Sequence, residues 1–190
     1  MLQQGKDGPC EFCKVRELIA EKKERSRLEK DELCNVWNRT KGKGMLEERL
    51  RHMEDSGHTY LLVLLDTDNI KGVNENYGYG EGDFFLQRTA QIVKESLRAE
   101  DFIFRLSGDE FIIVMQDLKE AEGTKRILKW RKLLEEEEKK LKKSYRMSFC
   151  YGTTYITASN TLQVNDLIAQ ADEKMYGEKL RKRKNYAVKM

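Results

Sequence analysis

Proline is nearly absent from this sequence: there is one in 190 residues, where average usage of ~5% would supply about nine. So few helix breakers leave room for long helices. Cysteine is scarce and scattered, at positions 10, 13, 34 and 150. That spacing forms no disulfide framework and fits a reducing compartment, so the cytoplasm is the expected location. No apolar run approaches the roughly 20 residues of a membrane span, and no secretory pattern opens the sequence, which speaks against a membrane or secreted protein. Neither sign of charge dominates. The 36 Lys+Arg and 33 Asp+Glu leave a net charge of +3, which argues against a dedicated nucleic-acid binder. What the chain has in plenty is charge itself, 36% of residues against the roughly 25% of an average domain. With 39% hydrophobic residues it can still bury a core, so the expectation is helices with heavily charged outer faces.

The length suits one domain plus a short extension. Residues 1–30 are expected to form that extension, a loop followed by a helical signalling linker over 14–30. In the linker Val15, Leu18, Ile19 and Leu28 make a thin apolar stripe, enough for a two-helix coiled coil between chains or else a solvated arm. Residues 31–190 are expected to form the main domain. Helical spacing appears at 43–53, 82–98, 119–143 and 161–184. Residues 60–65 are a continuous apolar run that reads as a strand buried on both faces. Two strand-like runs, 102–106 and 111–115, flank Ser107-Gly108-Asp109-Glu110, a hairpin pattern. Residues 147–156 are a further strand, and 186–188 read as a closing one. The predicted order after residue 43 is α-β-α-α-β-β-α-β-α-β, an α+β sheet flanked by helices.

Acidic residues gather in two loops at strand ends, Asp66-Thr67-Asp68 and Asp109-Glu110. If the hairpin lies beside the first strand, these carboxylates meet and repel, and a hard cation relieves the repulsion. Mg²⁺ suits such oxygen ligands, because it takes one or two carboxylates and completes its shell with phosphates. Acidic turns are also common at strand ends without any metal. Cys10 and Cys13 are half of a zinc pattern, but His52 and His58 are isolated and no second pair follows. Cys34, Cys150, Trp37 and Trp130 are expected to serve packing.

Four ordered segments carry a resemblance. The stretch from Asp66-Thr67-Asp68-Asn69-Ile70-Lys71 through Gly82-Asp83 resembles the first signature of the GGDEF family, the diguanylate cyclases. Ser107-Gly108-Asp109-Glu110-Phe111 is similar to the motif that names the family, with Ser in place of its first Gly. Asp31 to Arg39 resembles the segment that opens the domain, with Cys34-Asn35 where Thr-Gly is usual. Ala171-Asp172-Glu173-Lys174-Met175-Tyr176-Gly177-Glu178-Lys179 resembles the C-terminal signature.

The resemblance implies a palm-like, antiparallel-rich central sheet and the condensation of two GTP into cyclic di-GMP with release of pyrophosphate. The active site would close between two domains. It implies Mg²⁺ or Mn²⁺ on Asp66, the Thr67 carbonyl, Asp109 and Glu110, with Glu110 also helping to deprotonate the attacking hydroxyl. Asn74 and Asp83 would read the guanine edge. The backbone at Asn69, Ile70, Lys71 and Gly108, with Lys179 and Arg183, would hold phosphates. Arg98 and Asp101 match an inhibitory RxxD site for the product. The implied partners are GTP, cyclic di-GMP, a second copy of the chain and an upstream sensor, with neither nucleic acid nor membrane engaged by this chain. Ser107 is the departure that bears most on activity. At a position requiring positive φ it would be strained, and near a phosphate it would crowd the ligand or donate a hydrogen bond. A non-catalytic receptor for GTP or cyclic di-GMP is the alternative function, and a scaffold that recruits partners is a third.

Overall fold

The computed structural model describes residues 15–16, 28–159 and 162–187. Most of the expected linker helix over 14–30, the Cys10/Cys13 pair and residue 188 of the expected closing strand lie outside the described residues. The elements are α1 (Arg39–Arg51), a one-turn α2 (Met53–Ser56), β1 (Tyr60–Thr67), α3 (Ile70–Tyr77), α4 (Tyr79–Glu95), β2 (Phe102–Ser107), β3 (Glu110–Gln116), α5 (Glu120–Lys140), β4 (Phe149–Ile156) and α6 (Val164–Ala187). Apart from the one-turn α2, the order agrees with the sequence reading up to its last element. Tyr186 and Ala187 continue α6 instead of starting a strand, because nothing interrupts the helical pattern before them: the stretch after Ile168 contains no proline.

One four-stranded sheet runs in the order β2-β3-β1-β4, and its three strand pairs are all antiparallel. β1 is central and buried along its whole length, which explains why its sequence is a continuous apolar run and not an alternating one. Successive side chains of a strand point to opposite faces. Leu61, Val63 and Leu65 therefore join the core beneath α4 and α5, with Phe85, Trp130 and Leu134. Leu62 and Leu64 join the core on the other face, beneath α1 and α6, with Leu46, Leu167 and Ala171. Asp66 has the parity of Leu62 and Leu64, so its carboxylate emerges on the α6 side, just where the strand leaves the core.

The position of α6 is set by Gly152 in β4. A Cβ there would lie 1.9 Å from the Ala171 carbonyl oxygen and 2.6 Å from the Met175 nitrogen, so helix and strand backbones touch. Two turns beyond Ala171, this contact carries Lys179 over the end of β1. The segment before α1 is tied down as well. Asn38 caps α1, its side chain accepting from the Lys41 N–H at 2.9 Å. Trp37 bridges to Phe104, and the Lys30 ammonium sits 3.2 Å from the Trp37 ring centroid, a cation–π contact. Asn35, at a family glycine position, has φ +51, a left-handed conformation that Asn tolerates better than most side chains. No helix among the described residues is long and apolar enough to cross a membrane.

Overpacking at the helix–sheet contact should be costly. Gly152→Ala is expected to destabilise the fold by about 2 kcal/mol, lowering the melting temperature by roughly 4–8 °C, as read by circular dichroism. An unchanged melting temperature would contradict this account of how α6 is placed.

Candidate active site

β1 ends beside the β2–β3 hairpin. Asp66 is the register partner of Glu110, and the Thr67 N–H donates to the Asp109 carbonyl at 3.1 Å. The two acidic loops therefore meet, as their sequence positions suggested. The Lys179 ammonium answers their charge from α6, 2.9 Å from Asp66 Oδ2. Asp66 is only 8% exposed. Burial pushes its carboxyl up to about 6, opposed by Lys179 and reinforced by the negative charges of Asp109 and Glu110.

A second pair lies alongside. The Lys182 ammonium is 2.7 Å from Asp68 Oδ2 and also donates to the Phe149 carbonyl at 2.6 Å. Burial alone would raise the Asp68 carboxyl, but hydrogen bonds from Lys182 and Ser148 outweigh it and hold Asp68 below its ordinary range. Cys150 donates to the other Asp68 oxygen at 3.1 Å. Its thiol is pushed up to about 12 by burial and by Asp68, so it serves here as a neutral donor and not as a nucleophile. These groups line a cleft of about 620 Å³ together with Thr67, Asn69, Ile70, Lys71, Asp109 and Arg146. Asn69, with φ +60, turns the chain from β1 into α3.

Several expected residues stand elsewhere. Gly108 is at the hairpin tip with φ +29. Its carbonyl accepts from Arg105 Nε at 2.9 Å and Nη2 at 2.6 Å, while Arg105 Nη1 is 3.1 and 3.2 Å from the two oxygens of Asp31. The loop before α1 thus braces the tip. Asn74 on α3 has a buried Oδ1 with no hydrogen-bond partner, and a Cβ at Gly82 would lie 2.0 Å from it. Asp83, one residue on, is exposed. The Asn74 oxygen is thus buried and unpartnered, and the Asp83 side chain next to Gly82 is open to solvent. Behind it, Glu81 accepts from Tyr145 at 2.7 Å and from Lys143 at 2.5 Å, which ties the start of α4 to the loop before β4.

Arg98 and Asp101 lie at the far end of β2 from the hairpin tip. Asp101 is 8% exposed. Its oxygens accept from Arg126 at 3.1 Å, the Gln116 N–H at 3.0 Å and the Arg98 N–H at 3.1 Å. Arg98 itself is half-exposed, 3.9 Å from Glu100. The Arg183 side chain lies outside the described residues. Lys182, which the sequence reading passed over, joins Lys179 as an α6 residue whose contacts reach the cleft. Its spacing of three from Lys179 puts both lysines on one helix face, but Arg183 at spacing four shares that face, so the sequence did not single Lys182 out. Ser148, and Cys150 which was expected to serve packing, were also missed as cleft residues.

The donor set fits a divalent cation held jointly with a ligand. No group of three or more His, Cys, Asp or Glu among the described residues stands close enough to hold a metal by itself. Mg²⁺ characteristically binds through one or two carboxylates plus phosphates, and Asp66 beside Asp109 supplies carboxylates of that kind.

An antiparallel α+β sheet with carboxylates at one strand end and lysines facing them can hold a cation together with phosphates. The more particular assignment comes from comparison. The family described as "Diguanylate cyclase, GGDEF domain" matches residues 28–185, and the chain belongs to that family. It is 31% identical over 155 residues to "Probable diguanylate cyclase DgcJ" of Escherichia coli K12, covering 80% of this chain and 29% of that protein. To diguanylate cyclase DgcS of Shewanella oneidensis it is 29% identical over 160 residues, covering 82% of this chain and 51% of the relative. The chain thus spans from under a third to about half the length of these relatives. Among solved structures, a microbial GGDEF domain described for its interaction with cyclic di-GMP aligns with a TM-score of 0.70 at 27% identity, over 80% of this chain and 94% of that one. The coiled coil and GGDEF domain of DgcB from Caulobacter crescentus, in complex with cyclic di-GMP, aligns with a TM-score of 0.78 at 19% identity, over 88% and 90%.

The raised Asp66 carboxyl links stability to pH. The folded chain keeps this proton up to about pH 6, whereas the ordinary value is 3.8. Stability contributed through Asp66 is therefore fully present below that ordinary value and is lost as pH rises through 6. Without divalent ions, Asp66→Asn should be more stable than the parent by about 2 kcal/mol at pH 8 and by less at pH 5, read as melting temperatures across that range. A gain that grew toward low pH would contradict the assignment.

Proposed function

We propose that this chain is a diguanylate cyclase domain that condenses two GTP into cyclic di-GMP and releases pyrophosphate, working as a pair of facing domains with Mg²⁺ as its metal. The observation that carries this reading is the meeting of Asp66 and Asp109 in a cleft that also bears Lys179 and Lys182, with Glu110 paired to Asp66 beside it.

The chemistry follows from the side chains. A triphosphate in the cleft competes with Asp66 and Asp68 for the two lysines, and released carboxylates are then free to hold Mg²⁺. Bound there, the metal would polarise the α-phosphate and favour the ionised 3′-hydroxyl of the attacking GTP. Asp66 and Asp109 would hold it, and Glu110 would take up the proton of that hydroxyl or help hold a second ion. Lys179 and Lys182 offset the charge that builds on the departing pyrophosphate. Guanine is selected by Asp83, which accepts from its N–H donors, and by the unsatisfied Asn74. Adenine lacks those donors and would leave the carboxylate unpaired. Each domain supplies one GTP, so two must face each other before the bond can form.

Product inhibition is part of the proposal and acts through Arg98. Asp101 contributes indirectly, because its bond to the Arg98 N–H shapes the turn that presents the guanidinium. Arg98 can then grip a guanine edge or a phosphate bidentately.

The direct test is incubation of the purified chain with GTP and Mg²⁺ and chromatography for cyclic di-GMP. Formation of product, reduced at least 100-fold in Asp109→Ala or Glu110→Ala, supports the cyclase. Saturable GTP binding without turnover, even with enforced dimerisation, would replace it with the receptor. In the active chain Arg98→Ala should relieve inhibition by added cyclic di-GMP and leave the initial rate nearly unchanged. Inhibition that persisted in this variant would remove Arg98 from the regulatory role.

A further inference from the structure

We propose that Ser107 is a positioning residue for Glu110: its hydroxyl holds one oxygen of that carboxylate and leaves the other to take a ligand. The consequence for turnover rests on the cyclase reading, while the contact stands on the geometry of the hairpin.

Ser107 and Glu110 are register partners across the two-residue turn Gly108-Asp109. Directly opposed residues of an antiparallel pair send their side chains to the same face, with Cβ atoms ~5 Å apart. A short hydroxyl on one and a long carboxylate on the other span that gap, and Ser107 Oγ donates to Glu110 Oε2. The backbone on both sides of the contact is restrained. Arg105 clamps the Gly108 carbonyl, and Glu110 is paired to Asp66 of the central strand.

Strain does not account for the serine's effect. Among the described residues, positive φ occurs at Asn35, Asn69, Asp117, Lys142 and three glycines, of which Gly108 is the one in this turn. Ser107 is outside that region, so its backbone tolerates a side chain and the hydroxyl is what it adds. Glycine at 107 would offer Glu110 no donor. A glutamate has three side-chain torsions to restrain, and a fixed hydrogen bond removes much of that freedom before any ligand arrives. Charge-assisted bonds from hydroxyl to carboxylate are among the stronger ones available.

The test has one arm that needs no nucleotide. In the ligand-free chain, carbon–carbon couplings in the Glu110 side chain should report one dominant rotamer in the parent and in Ser107→Thr, and averaging in Ser107→Ala. Averaging in the parent, or a fixed rotamer in Ser107→Ala, overturns the proposal whatever the chain catalyses. The second arm measures Mn²⁺ affinity by calorimetry in the presence of 3′-deoxy-GTP, which cannot form the bond. Affinity should fall about five-fold in Ser107→Ala and be restored in Ser107→Thr. The third arm is turnover, where kcat should fall about five-fold in Ser107→Ala with KM for GTP unchanged, and recover in Ser107→Thr. A parent chain with a fixed Glu110 but no cyclic di-GMP product refutes the cyclase reading and leaves the positioning intact. A parent that turns over normally while Ser107→Ala matches it in rotamer, metal affinity and kcat refutes the positioning and leaves the cyclase intact.

Discussion

The burial of Asp66 at the end of the central strand, with Asp109 and Glu110 beside it, is the constraint around which this cleft is arranged. Three carboxylates at the end of a buried strand are unfavourable unless positive charge is brought to them. Without a ligand the chain uses its own last helix for this: Lys179 neutralises Asp66, and Lys182 does the same for neighbouring Asp68. Neither lysine could reach without the backbone contact at Gly152. The packing of a helix on a glycine and the electrostatics of a cleft two turns away are therefore one problem. The same lysines are the groups that a polyphosphate would recruit, so substrate and side chain compete for the same partners.

The fold was legible wherever a local pattern met a simple burial pattern. The apolar run of β1 required burial on both faces, and the Gly108 turn between two β-rich runs required a hairpin. The end of α6 was misread because β-type residues at 186–188 were weighed without the helical momentum of the preceding twenty residues. Propensity is a weak guide at a terminus, where a continuing helix already satisfies the backbone.

The site was legible in its carboxylates and less so in its cations. Asp66, Asp109 and Glu110 could be brought together from strand order alone. Lys182 could not be distinguished from its neighbours Arg181, Arg183 and Lys184, because the rotation of α6 about its axis is set by packing against β4. Asp101 shows the converse difficulty. Its type and spacing suit ligand recognition, yet Arg126, from a helix 25 positions away in sequence, occupies it. Departures from the family pattern were easier to judge in three dimensions. Asn35 takes a left-handed turn that glycine would take more readily, and Ser107 occupies ordinary backbone.

The guanidinium of Arg105 has a bearing on where this domain begins. Counted by regular secondary structure, the folded unit starts at α1. Counted by what steadies the hairpin tip, it starts at least as early as Asp31, since that carboxylate holds Arg105 while Arg105 holds the Gly108 carbonyl. A truncation that spared every helix and strand but removed the loop ahead of them would strip Arg105 of its carboxylate partner and loosen its hold on the acidic turn. The irregular lead-in is in mechanical terms a guy-rope for the loop that bears Asp109.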